Sequence, residues 1–363
     1  MILNKKKITV GISGGVDSSI AIYILIKMGY FVIGVYMKNW EENIVNKKCT
    51  FYKDFNDSKK ICNFFKIIFK KINFSYEYWE NVFILFLKEY NIGNTPNPDI
   101  LCNKKIKFNF FYDYAINYLN SNYIATGHYT NIKKIKKNFY ILCAFDKNKD
   151  QSYFLHNLNN KKIKKILFPI SFLKKKELRY IAKKLNLINF NKKDSTGICF
   201  IGKRKFNKFI NFFLYINPGF IITKNSQIIG THKGIIYFTI GQRKGLGIGG
   251  IFKNQNPLYV IEKKKKNIIV VQNNKHYLLM YKNLIIKKIY WNKNKFLIKS
   301  FLCYVKTRYK QKIIPCIIIP IDVKYILVQF IKPIISITKG QFVVFYLGKF
   351  CLGGGIIDFK TYL

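Results

Sequence analysis

The sequence predicts an α/β domain with a parallel sheet, followed by two small β-rich modules of which the last is a β-barrel. Three observations support this. Apolar strand patterns alternate with helical patterns in the first half, a glycine-rich loop joins the first strand to the first helix, and short Ile/Val/Tyr-rich runs fill the second half. A length of 363 residues suits two or three domains of roughly 100–200 residues each.

The first half contains apolar runs that are typical of buried strands. Because continuous apolar strands that alternate with helices usually form a parallel sheet covered on both faces, we expect that arrangement here. The predicted strands are Ile8–Ser13, Phe31–Met37, Ile72–Glu77 and Tyr123–Tyr129. The predicted helices are Asp17–Met28, Phe55–Lys70, Tyr78–Tyr90, Lys104–Leu119 and Lys174–Leu185.

The pattern changes after about Gly202. A short helical segment, Lys205–Tyr215, precedes a turn, and the runs IIYFTI, PLYVIE, NIIVVQ, FLIKSFLCYVK, PCIIIP, YILVQF and FVVFYL follow. Such short runs between turns indicate antiparallel β structure, and we interpret Gly353–Gly355 as a barrel turn. The predicted domains are residues 1–207, 208–275 and 276–363.

The chain combines 64 Lys and Arg with 17 Asp and Glu, a formal charge of +47, and is 49% hydrophobic. The apolar content excludes a disordered polyelectrolyte. The charge fits nucleic-acid binding, but AT-rich codon bias also enriches Lys, Asn and Ile, and charge alone leaves both explanations open. No run approaches the ~18 apolar residues of a membrane span, and no signal peptide is recognisable. We therefore expect a cytoplasmic protein without a membrane partner.

Metal-binding patterns are absent from the sequence. The eight cysteines form no CxxC pair, and no Cys/His cluster has zinc-ligand spacing, so we predict no metal site in the protein itself. Most cysteines are expected to be small buried residues.

The motif SGGVDSS, Ser13–Ser19, follows the first predicted strand and opens the first predicted helix. Its two glycines allow backbone conformations that turn N–H groups inward, and the helix N-terminus adds further donors. This is a phosphate cradle without the GxxxxGK[ST] pattern of kinases and GTPases. It is similar to the PP-loop of ATP pyrophosphatases, which hold the pyrophosphate half of ATP.

Two cysteines lie in polar, basic contexts. Cys102 follows the proline-rich loop NTPNPDILC and is expected just before a helix that starts near Asn103, where a helix N-terminus and Lys104 would lower the pKa of its thiol. Cys199 lies in KKDSTGICFIG, Lys192–Gly202. From local chemistry alone, a reactive thiol and a packed core cysteine are equally good interpretations of Cys102.

The whole set of motifs resembles the bacterial tRNA-specific 2-thiouridylases, which are PP-loop ATP pyrophosphatases. The resemblance extends nearly from end to end. It is carried, in this order, by SGGVDSS, YMKNWEE, EYWENVF, TPNPDILCNKKIKF, YIATGHY, NKDQSYFL, KKDSTGICFIG, TIGQRKGLGIGG, VKTRY and CLGGGII. The first domain would then be a PP-loop nucleotide-binding domain.

The resemblance implies a role for each matching position. Cys102 would be the nucleophile, Cys199 would carry a persulfide, and Asp99 would assist proton transfer. ATP would be bound by Gly11, Ile12, Ser13, Gly14, Gly15, Val16, Asp17, Ser18, Met37 and Gly127. Asn97, Pro98 and Asp99 would contact the target base, and His128, Lys149, Asp150, Gln151, Arg308, Tyr309 and Gln341 would contact tRNA.

The implied reaction is ATP-dependent thiolation of the wobble uridine, with Mg²⁺ on the phosphates. The resemblance further implies the tRNAs for Lys, Glu and Gln as partners, and a cysteine desulfurase or sulfur-relay protein as sulfur donor. Two alternatives stay open: a different PP-loop enzyme, and a noncatalytic tRNA-binding remnant. The presence of Asp17, Cys102 and Cys199 favours an intact enzyme over the remnant.

The loop Gly241–Gly250 is either a β-turn or a phosphate contact.

Overall fold

A computed structural model describes residues 5–41, 51–194, 206–248, 256–292 and 299–362. The chain divides into two units. The first comprises Met1–Ile84, Pro98–Lys203 and Gly348–Leu352, and the second comprises Leu85–Asn97, Arg204–Leu347 and Gly353–Leu363. Among the described residues, no helix combines the length and the apolar character that crossing a membrane requires.

The first unit is built on a parallel sheet of five strands in the order β3-β2-β1-β4-β7. The central strand β1 is almost wholly buried, as expected for a strand covered on both faces. The parallel sheet confirms the predicted fold class. Its strands and the adjoining hairpin are β1 Lys7–Ile12, β2 Phe31–Lys38, β3 Ile68–Asn73, β4 Tyr123–Thr126, β5 Asn131–Ile135, β6 Asn138–Leu142 and β7 Ile166–Leu167.

The helices of the first unit are α1 Val16–Lys27, α2 Phe51–Phe64, α3 Ser75–Tyr78, α5 Pro98–Leu101, α6 Phe111–Asp113, α7 Ser152–Leu155 and α8 Lys175–Lys184, whereas α4 Ile84–Asn91 lies almost wholly in the second unit. Wider π-helical turns at Trp79–Phe83, Cys102–Phe110 and Tyr114–Tyr118 connect several of them, and a 3-10 turn lies at Ile163–Lys165. The helix α1 buries apolar residues over most of its circumference, which explains its nearly continuous hydrophobic sequence.

The third strand differs from its predicted position. The sequence places it at Ile72–Glu77, but β3 ends at Asn73 and a helix begins at Ser75. Asn73 Oδ1 accepts a hydrogen bond from the Ser75 backbone N–H at 3.1 Å and so starts that helix. The preceding helix α2 stops at Phe64, and Lys66 adopts a left-handed conformation with φ 53°. Because β3 is an edge strand, its half-exposed pattern IFKKIN resembles the end of a helix.

The β-rich part of the second unit begins with α9 Phe206–Ile210 and a four-stranded sheet in the order β10-β11-β8-β9. These strands are β8 Gly219–Thr223, β9 Ile228–His232, β10 Leu258–Lys264 and β11 Asn267–Gln272. The predicted strand IIYFTI is instead a 3-10 turn at Ile235–Tyr237 followed by an irregular segment. Its Phe238 and Ile240 side chains still pack into the core of this sheet, which explains the apolar pattern.

The second β module is a closed antiparallel barrel of six strands in the order β12-β15-β14-β13-β16-β17, with β17 pairing back onto β12. The strands are β12 Met280–Trp291, β13 Phe301–Lys306, β14 Ile314–Pro320, β15 Ile326–Ile335, β16 Phe342–Leu347 and β17 Phe350–Tyr362. Closure removes the exposed edges of the sheet. The predicted barrel is therefore confirmed.

The glycines Gly353–Gly355 do not form a turn, as the sequence had indicated. They lie inside β17, where Gly353 pairs with Trp291 and Gly354 with Tyr290 of β12. A Cβ on Gly353 would lie 2.0 Å from the Tyr290 carbonyl oxygen. The glycines therefore allow two strands to approach closely at a bulge of the barrel.

We expect Gly353→Ala to destabilise the protein by about 2 kcal/mol or more, because it adds both a steric clash and a strained backbone at φ 139°. Gly348→Ala is the matched control, since Gly348 also has a positive φ of 56° but a Cβ there meets nothing within 4 Å. Denaturant unfolding measures both variants. Equal losses of stability would contradict a role for the close approach of the strands.

Candidate active site

The loop SGGVDSS joins β1 to α1 at the carboxyl edge of the parallel sheet. Gly14 is left-handed with φ 68°, and Gly15 is the N-cap residue of α1. The hydroxyls of Ser18 and Ser19 both donate to the Gly15 carbonyl oxygen at 3.0 Å. The first backbone N–H groups of a helix have no acceptor within it, so those at the start of α1 can bind an anion.

Three of the predicted ATP-binding segments come together at this loop. A Cβ on Gly127, just after β4, would lie 2.7 Å from the Ser18 backbone nitrogen. A Cβ on Gly11 would lie 3.1 Å from the terminal methyl of Met37. The parallel register pairs Gly11 of β1 with Val35 and Thr126 on its two neighbours. The ends of the three central strands therefore form one cradle, and two glycines keep it open.

The Asp17 side chain is held by two partners that the sequence analysis did not identify. Lys175 Nζ lies 2.6 Å from Asp17 Oδ1, and the Tyr129 hydroxyl donates to the same oxygen at 2.9 Å. Lys175 is only 8% exposed, so its charge is largely removed from water. Burial, followed by the charge of Asp17, raises the pKa of Tyr129, so the phenol keeps its proton and acts as a donor.

Asp194 forms a second charged centre close to the first. It accepts hydrogen bonds from Lys149 at 2.7 Å and from Arg179 at 3.0 Å, and it lies 2.8 Å from Lys175 Nζ. Burial alone would raise the pKa of Asp194, but hydrogen bonds from Lys149 and Lys175 lower it to about 2. Lys175 thus joins the carboxylates of Asp17 and Asp194.

Cys102 lies further into a helix than the sequence had predicted. The helical run starts at Pro98, whose missing N–H suits the first turn of a helix, and Cys102 begins the π-helical turn that follows. The thiol is therefore about one turn from the helix N-terminus, where the helix dipole has already weakened. Cys102 is 4% exposed. Phe111 of the same run packs on Gly11 at the floor of the cradle.

Asp99 and His128 are both shifted toward their neutral forms. Burial raises the pKa of the Asp99 carboxyl, with Lys107 opposing the shift. Burial lowers the pKa of His128 well below its usual value, and the positive charge of Lys107 adds to this. His128 Nδ1 and Thr126 Oγ1 are hydrogen-bonded at 2.8 Å. His128 is only 8% exposed, so its contact with tRNA stays a prediction.

All three members of the predicted tRNA-binding run at residues 149–151 have structural partners within the protein, and that of Lys149 is Asp194, as described above. Asp150 is 5% exposed, and its carboxylate accepts hydrogen bonds from the backbone N–H groups of Ala144 and Ser152 at 3.1 and 3.2 Å. Gln151 Oε1 accepts from the Tyr129 backbone N–H at 2.9 Å. Gln151 therefore supports Tyr129, whose hydroxyl donates to Asp17. Contact between residues 149–151 and RNA stays a prediction.

The remaining predicted tRNA-binding residues belong to the second unit. Arg308 is exposed and donates to the Ser336 carbonyl oxygen, and Tyr309 next to it is half-buried. Gln341 donates from Nε2 to the Thr95 carbonyl oxygen at 2.6 Å, and the Thr95 N–H donates to the Lys339 carbonyl oxygen at 3.0 Å. Gln341 thus holds the segment that leads into Asn97 and Pro98.

Cys199 lies outside the described residues, so the structure does not test its predicted proximity to Cys102. Sequence reasoning also missed Lys175, Tyr129, Asn189 and Lys192 as neighbours of the glycine-rich loop. Lys175 and Asn189 lie outside every quoted motif, and nothing in their local sequence distinguishes them in a chain so rich in Lys and Asn. Tyr129 ends the motif YIATGHY and Lys192 begins KKDSTGICFIG, but neither motif indicates proximity to the glycine-rich loop.

The comparisons with known proteins agree with this architecture. The family model described as the tRNA methyl transferase HUP domain matches residues 6–203. The tRNA methyl transferase PRC-barrel domain matches residues 207–273, and the Aminomethyltransferase beta-barrel domain matches residues 281–357.

Curated relatives match over nearly the full length. A protein named tRNA-specific 2-thiouridylase MnmA from Buchnera aphidicola subsp. Acyrthosiphon pisum is 51% identical, covering 99% of this chain and 98% of the relative. Proteins of the same name are 48% identical in Blochmanniella floridana, with 97% and 96% covered, and in Klebsiella pneumoniae subsp. pneumoniae, with 98% and 97% covered. The chain therefore belongs to the tRNA-specific 2-thiouridylase family, whose enzymes are sulfurtransferases.

Proposed function

We propose that this protein adenylates the C2 oxygen of the wobble uridine of tRNA with ATP and replaces that oxygen by sulfur, giving 2-thiouridine, AMP and pyrophosphate. The observation that carries the proposal is the cradle formed by the Ser13–Ser19 loop, Gly127 and Gly11. It lies in the same unit as Cys102. Family membership supplies the class of reaction.

The residues of the cradle fit ATP. A Cβ on Gly14 would lie 2.6 Å from the Asp54 carbonyl oxygen, so only a glycine allows the loop to turn this close to α2 and present its N–H groups to a phosphate. Gly11–Ser18, Met37 and Gly127 would hold the nucleotide. Mg²⁺ would enter with ATP and shield its phosphate charge, and Asp17 is the carboxylate within the loop that could reach it. Lys175 adds a buried positive charge beside that carboxylate.

Activation of the base is a nucleophilic substitution at the α-phosphorus of ATP. The C2 oxygen of uracil attacks the α-phosphorus of ATP, the bond to the β,γ-phosphates breaks, and pyrophosphate leaves. The oxygen, a poor leaving group in uracil, becomes part of an AMP ester that can leave. Because the base must leave its stack to reach the phosphorus, we expect it to flip into the pocket near Asn97, Pro98 and Asp99. With its raised pKa, Asp99 is a stronger base than an ordinary aspartate once ionised, which suits proton transfer.

The sulfur step uses the two cysteines. In one route the outer sulfur of a Cys199 persulfide attacks C2 and AMP leaves, and the Cys102 thiolate then attacks the Cys199 sulfur, which breaks the S–S bond and leaves the outer sulfur on C2. In the other route Cys102 attacks the Cys199 sulfur first and releases sulfide, which attacks C2 as AMP leaves. Both end in a Cys102–Cys199 disulfide, which an external thiol must reduce before the next turnover. A cysteine desulfurase or a sulfur-relay protein would load the persulfide.

The RNA partner is proposed to be the tRNAs for Lys, Glu and Gln. A formal charge of +47 favours binding of any polyanion, so contacts between lysines and the phosphate backbone add affinity without sequence specificity. Recognition of the anticodon bases supplies the specificity. Of the proposed domains at residues 1–207, 208–275 and 276–363, the first would carry out the nucleotide chemistry and the other two would contribute to RNA binding. We place the enzyme in the cytoplasm.

The reaction predicts that purified protein with unmodified tRNA for Lys, ATP, Mg²⁺ and a sulfur-loaded desulfurase yields thiolated tRNA. A mercury-containing gel retards thiolated RNA, and nuclease mapping locates the sulfur at the wobble uridine. Cys102→Ser and Cys199→Ser should abolish the retarded band because each removes one sulfur of the transfer pair.

Cys143→Ser is the matched control, since this half-buried cysteine has no proposed role and its variant should keep the band. A band that forms without ATP would contradict adenylation. Activity that survives in Cys199→Ser with the desulfurase donor would favour a different PP-loop chemistry. Tight tRNA binding without AMP formation would favour the noncatalytic RNA-binding protein.

The hydrogen bond from Gln341 to Thr95 predicts a defect specific to tRNA. Gln341→Glu keeps the shape but loses the donor, so we expect the KM for tRNA to rise about fivefold, equivalent to ~1 kcal/mol for one hydrogen bond. The KM for ATP should be unchanged. Gln311→Glu is the control, because Gln311 Oε1 only accepts, from the Thr307 N–H at 2.7 Å and its hydroxyl at 2.8 Å. An equal rise in Gln311→Glu would assign the effect to added charge.

A further inference from the structure

We propose that Asn189 is a positioning residue of the nucleotide site, which turns the Gly14–Gly15 peptide so that its N–H faces the pyrophosphate half of ATP. The inference deepens the proposed function and rests on its use of ATP. Asn189 lies after α8 and is only 3% exposed. No motif of the sequence includes it.

The Asn189 side chain makes two hydrogen bonds to the loop region. Its Nδ2 donates to the Gly14 carbonyl oxygen at 3.1 Å and to Ser19 Oγ at 3.0 Å. The Ser19 hydroxyl proton is already used, because it donates to the Gly15 carbonyl oxygen at 3.0 Å. Both acceptors therefore require a donor, which fixes the Asn189 amide with its nitrogen toward the loop.

The consequence for the loop follows from peptide geometry. In a trans peptide the C=O and the N–H point in opposite directions. When Asn189 holds the Gly14 carbonyl on its own side, the Gly15 N–H must point away from Asn189. A peptide between two glycines rotates at little steric cost, and a rotated peptide would present a carbonyl oxygen instead of a donor to an incoming phosphate. Asn189 removes that alternative before ATP arrives.

The segment after Asn189 also supports the same turn, through α2. Lys192 Nζ lies 2.8 Å from Asp54 Oδ1 and 2.6 Å from Asp57 Oδ2, both on α2. The Asp54 backbone oxygen lies against Gly14, 2.6 Å from the position of a Cβ. Burial lowers the pKa of Lys192, but the hydrogen bonds that it donates to the Asp54 and Asp57 carboxylates reverse this and raise the pKa overall. The lysine thus stays charged and holds α2 in place.

The Asn189 side chain also retains a polar atom that a purely structural residue would avoid. Among the described residues, its buried Oδ1 has no hydrogen-bond partner. Burying an amide oxygen in this way costs stability. A leucine of similar size would avoid that cost but could not donate to Gly14. The presence of asparagine at position 189 therefore indicates that orienting the loop outweighs the stability that an apolar side chain would add.

The ligand portion concerned is the polyphosphate, because Asn189 acts on loop N–H groups and not on the groups around Met37. The test uses the full-length chain and calorimetric titration with inorganic pyrophosphate and with ATP. We expect Asn189→Leu and Asn189→Asp to weaken both affinities about tenfold, the loss of one hydrogen bond to a charged group. In the thiolation assay the KM for ATP should rise by a similar factor, with the KM for tRNA unchanged.

Asn191→Asp is the matched control, because Asn191 lies exposed in the same segment and the substitution adds the same charge. It should bind pyrophosphate as the wild type does. If Asn189→Leu fails to fold, as judged by circular dichroism, the nearly isosteric Asn189→Asp decides the question against this control.

Wild-type affinity for pyrophosphate in a folded Asn189 variant would overturn the inference. So would equal rises in the KM for ATP and for tRNA, which would indicate a general structural defect. A wild-type protein that binds neither ATP nor pyrophosphate would instead contradict the proposed use of ATP, and the positioning role with it.

Discussion

The left-handed turn at Gly14 is the constraint on which the rest of the site depends. With φ 68°, it allows the chain to leave the end of β1 and enter α1 after only the three residues Ser13–Gly15. The backbone N–H groups then stay free at the carboxyl edge of the sheet, where ligands of open α/β sheets usually bind. Gly127 approaches the Ser18 nitrogen so closely that a side chain there would not fit. Gly14 in the loop after β1 and Gly127 just after β4 thus create the space, and neighbouring polar side chains hold its shape.

Charge is distributed unevenly around this turn. The chain has 17 acidic residues against 64 basic ones, yet Asp17, Asp54, Asp57 and Asp194 all lie near the loop and each is paired with a lysine. Such partly buried pairs lose much of their favourable energy to desolvation, so their main consequence is geometric. They connect α2, α8 and the residues after α8 to the loop. A polyanion entering this region meets lysines already held in place by carboxylates.

The sequence predicted the fold class and the place of the glycine-rich loop between β1 and α1, because both depend on local patterns. Apolar strands and a strand–glycine–helix transition can each be identified from one short stretch of sequence. The sequence-based predictions were wrong where the burial of a segment in the folded protein decides its secondary structure. The exposed pattern of β3 resembled a helix end, and Gly353 resembled a turn although it serves the close approach of two strands. Asn189 and Lys175 were not predicted because their importance comes from residues more than a hundred positions away in the chain.

The central claim is that the cradle activates the C2 oxygen of uridine by transferring AMP to it. The most direct measurement uses tRNA whose wobble uridine carries a heavy oxygen isotope at C2, followed by mass spectrometry of the AMP released during thiolation. If the oxygen is adenylated and then leaves with AMP, the AMP must carry the heavy isotope in proportion to the sulfur gained. Thiolated tRNA accompanied by unlabelled AMP would contradict the account.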